Sequence, residues 1–248
     1  MKYVGSKNRL SKELAPIIQS YITDRTDGYF EPFVGGANMI DKIKCKKRIG
    51  FDYHNNLIAL LKYVQDLDNK LPQHITEEDY LKVRNNKEEY PNWYVGLVGF
   101  GATFSARYFE GYARSFKADK ITPRDMPNES IRNIEKQREN LTDIIFKCIP
   151  FEKVSTRTCN NLVIYCDIPY KVEKYNDKKY YRNTFNYDKF YKWCKEMSRN
   201  NIVLISEYNM PEEFECIWAK ESKVGINQGG HRKRIERLFR LEVKDEIS

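Results

Sequence analysis

Leu162-Val163-Ile164-Tyr165-Cys166-Asp167-Ile168-Pro169-Tyr170 decides the reading of this chain. A run of strand-forming apolar residues ends in an acidic residue, a rigid turn and an aromatic ring. At the carboxyl end of a buried strand, Asp167 can accept a hydrogen bond from an exocyclic amino group, and the main-chain carbonyl of Ile168 can accept a second. Pro169 fixes its own φ near about −65° and has no N–H to compete for acceptors. Tyr170 offers a ring face for stacking. Such a turn can hold a flat, neutral amine. A match this short arises by chance, so its weight comes from a second motif upstream.

That motif is Tyr29-Phe30-Glu31-Pro32-Phe33-Val34-Gly35-Gly36-Ala37-Asn38-Met39-Ile40. A short hydrophobic strand runs into a glycine pair that lets the backbone turn sharply and approach a ligand closely. The carboxyl end of a first strand in an α/β sheet is where nucleoside cofactors bind. Asp52 follows the strand-like Arg48-Ile49-Gly50-Phe51 and is placed to take both hydroxyls of a ribose. The glycines are not spaced as G-x-G-x-x-G, which weakens a dinucleotide reading. For either motif alone, a tight turn with a solvated aspartate is the competing explanation.

Taken together, the two motifs resemble the Dam-like, D12-class DNA adenine-N6 methyltransferases that use S-adenosylmethionine. The resemblance takes in Lys2-Tyr3-Val4-Gly5-Ser6-Lys7, Asp52, the segment Asn201–Tyr208 and the stretch Arg232–Phe239. It implies methyl transfer to N6 of a flipped adenine, with Asp167, Ile168, Pro169 and Tyr170 holding the base. By the same resemblance Tyr3, Lys7, Phe33, Gly35, Gly36, Asp52 and Asp167 hold the cofactor. Lys7 opens a segment whose Leu10, Leu14, Ile17, Ile18 and Tyr21 predict an amphipathic helix over 7–22, where it could meet the cofactor's carboxylate. The commonest family tetrapeptide is Asp-Pro-Pro-Tyr, and here its first proline is Ile168. Isoleucine retains the main-chain carbonyl, and Pro169 still biases it toward extended geometry.

The chemistry fits these residue types. The N6 lone pair of adenine is conjugated into its ring and attacks poorly. Accepting both N6 hydrogens favours a pyramidal nitrogen, and positioning supplies much of the rate. The amine becomes acidic only as the new bond forms, so Asp167 can take that proton late or pass it to water. A sulfonium methyl needs no metal, and the three histidines and six cysteines show no ligand spacing.

Composition agrees. The 248 residues can form one substantial core with an insertion, and the net charge of +8 favours a polyanionic partner, double-stranded DNA on this reading. Scattered cysteines and the lack of a signal segment or an apolar run of about 20 residues predict a cytoplasmic protein without a membrane span. A monomer is the default. Residues 91–117 interleave aromatics, glycines and basic groups, and Arg107, Arg114 and Lys117 could reach phosphates or guanine edges. Lys174 and Arg182 lie in a polar loop suited to the DNA backbone, and Arg232 and Arg234 in a basic tip, Gly229–Arg234, of a hairpin pairing Phe214–Val224 with Ile235–Val243. A helix over 129–142 capped by Asn128 would return the chain to the sheet. The expected fold is α/β: a mostly parallel, Rossmann-like sheet ending in an antiparallel hairpin. The catalytic domain comprises residues 1–54 and 143–248, and 55–142 form an inserted target-recognition region. Two alternatives stay open: methylation of another planar amine or amide (an RNA base or a protein glutamine), and a catalytically impaired nucleic-acid-binding relative.

Overall fold

A computed structural model describes residues 1–116, 119–170, 185–224 and 232–241. The chain opens on a short 3-10 turn, Lys7–Arg9, and then α1, Ser11–Ser20. The continuous helix expected over 7–22 is therefore split. The Ser6 hydroxyl accepts from the Asn8 N–H and caps the short turn separately, and α1 begins only after Leu10. Leu14 and Ile18, four residues apart, bury one face of α1.

Next come β1 (Gly28–Glu31), β2 (Arg48–Asp52) and α2 (Asn55–Gln65). Helices α3 (Glu77–Asn85) and α4 (Asn92–Gly96) follow, and α4 runs into a π-helical turn, Leu97–Gly101. A two-stranded antiparallel ribbon, β3 (Ser115–Phe116) and β4 (Pro123–Arg124), precedes α5 (Met126–Glu135). The remaining elements are β5 (Ile144–Cys148), β6 (Leu162–Asp167), α6 (Tyr187–Ser198), β7 (Ile202–Glu207), β8 (Phe214–Val224) and β9 (Arg232–Leu241).

The main sheet is seven-stranded in the order β5-β2-β1-β6-β7-β9-β8. Strands β5, β2, β1, β6 and β7 are parallel, and β9 and β8 close the sheet antiparallel. The fold is thus α/β and Rossmann-like, as the sequence implies. From β1 the chain moves outward through β2 to β5 and then returns to β6 on the other side of β1. The order reverses between β1 and β6, and a crevice opens at such a switch point. With Phe30 opposite Ile164, the carboxyl ends of β1 and β6 lie side by side.

Strand alternation divides the core. Tyr29, Val163, Tyr165 and Leu204 face a cluster that includes α1, α2, the α4 turn and α5. Phe30, Ile164, Cys166 and Ile205 face a second cluster with Phe190, Trp193, Cys194 and Met197 of α6. Burial on both faces is what a central parallel sheet requires. Residues 55–142 supply α2 to α5, and their Leu57, Leu60, Leu61, Leu97, Val98, Ile131 and Ile134 share the first core with β1 and β6.

Two boundaries differ from expectation. The helix expected over 129–142 is α5 followed by a 3-10 turn, Arg138–Leu141, and its cap is Asp125, not Asn128. The Asp125 carboxylate accepts from the Asn128 N–H, and Pro127 fits the first turn, where no N–H partner is required. The hairpin pairs Phe214 with Leu241 and Val224 with Arg232. Arg232 and Arg234 are therefore strand residues. Before Arg237, the first residue of β9 paired with β7, the strand pairs with β8 alone, where Ile235 is exposed and charged neighbours are tolerated.

Candidate active site

The upstream motif folds into a loop braced by backbone donors. The Val34 N–H bonds to the Phe51 carbonyl at 2.8 Å, which ties the loop to the end of β2. Gly35 follows at φ +48°, a left-handed conformation that glycine adopts without strain. Its N–H donates to Asp52 Oδ2 at 3.2 Å, and the His54 N–H donates to Asp52 Oδ1 at 3.0 Å. Asp52 is buried, and that burial pushes its carboxyl up to about 6 against the opposing pull of those N–H donors. A Cβ on Gly35 would stand 2.9 Å from the Tyr3 ring, so that ring covers the glycine directly.

The N-terminal segment is fastened to this loop. Asn38 donates to the Met1 carbonyl at 2.8 Å and to the Ser6 hydroxyl at 2.8 Å, and Gln137 of the α5 connection donates to the Ala37 carbonyl at 2.9 Å. Tyr3 packs on Phe100 with ring centroids 5.5 Å apart, and Phe100 packs on His54 at 5.0 Å. His54 in turn meets Tyr108 at 4.5 Å. One aromatic layer thereby joins the glycine loop, the start of α2 and the insertion.

At the end of β6, Asp167 is 23% exposed and pairs with Lys7 Nζ at 2.9 Å. The same ammonium lies 4.2 Å from the centroid of the Tyr170 ring. The Tyr170 hydroxyl donates to Glu236 of β9 at 2.9 Å, and the Tyr208 ring meets Tyr170 edge-on at 4.4 Å. Tyr187, opening α6, donates to the Pro169 carbonyl at 2.8 Å. The Ile168 side chain is buried in the second core, whereas Pro169 is exposed. Burial raises the Asp167 carboxyl above the ordinary range, the Lys7 ammonium opposes that rise, and the Glu236 charge adds to it. Burial raises the Tyr3 hydroxyl well above its ordinary range, and the charges of Asp52 and Asp167 add to that rise.

The other residues selected from sequence are more dispersed. Phe33 is partly buried in the second core, where it packs on Phe151 at 5.4 Å and on Phe185 and Phe190 at 5.7 Å. Arg107 pairs with Glu110 at 3.3 Å, and Arg114 Nε bonds Glu77 at 3.1 Å, both within residues 55–142. Arg234 bonds the Tyr208 hydroxyl at 3.1 Å and so adjoins the Tyr170 cluster through that ring. Arg232 is the first residue of β9. Lys117, Lys174, Arg182 and the stretch Gly229–His231 lie outside the described residues.

Sequence reasoning missed Glu236, Tyr208, Tyr187 and Glu31. Glu31 ends β1 fully buried, accepts from the Tyr29 hydroxyl at 2.7 Å, and is held well above the usual carboxylate range by that burial. An acidic residue inside an otherwise apolar strand was the available signal for Glu31. Glu236 had only the alternation of its strand as a signal, with nothing to show that the strand would reach the turn.

The sheet is Rossmann-like, with a glycine loop after β1 and an acidic turn at the end of the neighbouring strand β6. Residues 3–228 match the D12 class N6 adenine-specific DNA methyltransferases, and the chain belongs to that family. S-adenosylmethionine is accordingly its cosubstrate. Among solved structures, two of the rRNA methyltransferase aviRa from Streptomyces viridochromogenes are similar. One is 12% identical over 94% of this chain and 84% of that one, with a TM-score of 0.43. The other is 10% identical over 96% and 86%, with a TM-score of 0.44. An rRNA methylase from Streptococcus thermophilus is 9% identical over 94% and 97%, with a TM-score of 0.36. No curated protein matches the chain. Among the described residues no cluster of His, Cys, Asp or Glu is arranged to hold a metal ion, and no helix is long and apolar enough to cross a membrane.

Proposed function

We propose that this protein transfers the methyl group of S-adenosylmethionine to N6 of an adenine flipped out of duplex DNA. The observation that carries this reading is Asp167 at the end of β6, the strand beside β1 at the switch point, with Lys7 paired to its carboxylate and lying over the Tyr170 ring.

The residues fit the cosubstrate. Gly35 and Gly36 are covered by Tyr3 and the N-terminal segment, so the fit rests on Asp52, whose carboxylate has lone pairs beyond those that accept main-chain N–H bonds and can take a ribose hydroxyl. When bound, the cosubstrate supplies an electrophilic sulfonium methyl. Asp167 and the Ile168 carbonyl accept the two N6 hydrogens and aim the lone pair. Tyr170 stacks on the base, which offsets part of the flipping cost of a few kcal/mol. As the N–C bond forms, Asp167 or water takes the proton that nitrogen loses. Lys7 now occupies Asp167, and its partial transfer to the cosubstrate's carboxylate would free that acceptor. The buried Ile168 side chain fills a hydrophobic place beneath the turn, which supports competence of the Asp-Ile-Pro-Tyr variant over an impaired relative.

Residues 55–142 are the recognition region on this account, with Arg107 and Arg114 on its surface, and the charge of +8 suits the duplex. The test is incubation of the purified chain with methyl-labelled S-adenosylmethionine and DNA, RNA or protein. Label in DNA that Asp167→Ala abolishes is expected. Label confined to RNA or protein overturns the substrate, and no label in any of them overturns the activity.

A further inference from the structure

Glu236 lies within the stretch Arg232–Phe239 but has no role assigned there, yet it touches two residues of the other motifs. It lies on β9, two residues from Leu238, whose side chain is fully buried in the first core. Alternation puts both on one face. Strand β9 neighbours β7 and not β6, so Glu236 reaches the catalytic turn across the end of an intervening strand. Its Oε2 accepts the Tyr170 hydroxyl at 2.9 Å and stands 3.9 Å from Lys7 Nζ, with only 13% of the side chain exposed. Lys7 therefore bridges two carboxylates, one from β6 and one from β9. Tyr170 is fixed at three points: its hydroxyl by Glu236, one face by Lys7 and its flank by Tyr208.

We propose that Glu236 is a positioning residue of the catalytic turn, anchoring the Tyr170 hydroxyl and sharing Lys7 with Asp167 so that ring plane and acceptor stay set for a planar amine. This rests on the proposed methyl transfer. An unanchored ring turns about its side-chain torsions, and a stacking face has to be held in one plane. Lys7 without Glu236 would have Asp167 as its sole close carboxylate and would hold that acceptor more tightly against an incoming base.

The groups facing Asp167 are Lys7 from the N-terminal turn, Glu236 from β9, Glu31 from β1, and Tyr3, Tyr165 and Tyr170. The negative charge of Glu236 raises the Asp167 carboxyl, so its removal lowers the pH at which Asp167 ionises. Glu236→Gln removes the charge and keeps a hydrogen-bond acceptor, whereas Glu236→Ala removes both.

The experiment compares these variants and Tyr170→Phe with the parent. It follows the carboxyl carbon of Asp167 by NMR across pH in the free protein and measures kcat and KM for methyl transfer. Both Glu236 variants are expected to ionise Asp167 at lower pH than the parent. Glu236→Ala and Tyr170→Phe are each expected to lower kcat about tenfold, and their combination no further, because residues acting as one unit are not additive. Cosubstrate affinity should stay within about twofold. An unmoved Asp167 midpoint overturns the proposal, and so do costs that add. If the parent methylates no DNA, the functional reading falls, and the NMR midpoint alone still decides whether Glu236 acts on Asp167.

Discussion

Asp52 and Asp167 are both carboxylates raised by burial, but they are held by different partners. Asp52 accepts main-chain N–H bonds from Gly35 and His54, and Asp167 accepts a lysine. In the proposed role Asp52 would accept ribose hydroxyls as an anion, and burial pushes its carboxyl up to about 6. Cosubstrate affinity should therefore fall as pH drops through about 6 and be flat above about 7, as calorimetry at several pH values will show. Asp52→Ala should weaken cosubstrate binding by about 10- to 100-fold, the range of one or two hydrogen bonds to a charged group, and leave DNA affinity within about twofold. Unchanged cosubstrate affinity would contradict the ribose role. Asp167 has the same sign: if its anion is the acceptor, as proposed, kcat/KM should fall on the acid side at a pH above the ordinary aspartate range. At the residue scale the sequence was informative where one side chain does one chemical task. Asp167, Tyr170 and Lys7 stand out in the sequence, and in the structure Lys7 contacts each of the other two. Glu236 and Tyr208 do not stand out, because their contacts depend on strands β7 and β9 meeting the turn in three dimensions.

Elements place these residues, and close packing sets the tolerances. Gly96 of α4 lies against the start of α2, where an added Cβ would come within 2.2 Å of the Asn56 carbonyl oxygen. Backbone cannot yield as a flexible side chain can, so Gly96→Ala should destabilise the fold by at least about 1–3 kcal/mol, measurable by denaturant unfolding. Because α2 begins three residues after Asp52, the same variant should also weaken cosubstrate binding. Hydrophobic periodicity marks several elements: the α2 face Leu57, Leu60, Leu61 and Val64, the α6 face Phe190, Trp193 and Met197, and the strand at Ile202–Ile205. Helix α3 was missed inside a charged stretch because its apolar face is only Tyr80 and Val83. Its signal was the capping box, with Thr76 and Asp79 each accepting the other's N–H. The ends of α1, α5 and β9 moved for local reasons of capping and ladder extension that hydrophobic spacing does not register.

Across the whole molecule, the order reversal between β1 and β6 brings together motifs separated by more than a hundred residues of sequence. The insertion shares the first core with the sheet, and its aromatic layer of Phe100 and Tyr108 reaches Tyr3 over the glycine loop. On the proposed function, a recognition region so placed would contact the duplex while one base enters the site. Replacing Arg107 or Arg114 by alanine should shift DNA affinity or sequence preference and spare cosubstrate binding. Where the side chain meets phosphate, the salt dependence of DNA binding should weaken by about one unit in slope. Unchanged site choice and efficiency in both variants would mean that recognition lies elsewhere. The most direct test of the account is base-resolved mapping of N6-methyladenine in DNA from cells expressing this chain or its Asp167→Ala variant. The account predicts methylated adenines in one recurring sequence with the parent and none with the variant. Equal N6-methyladenine in both, or its absence from both, would contradict it.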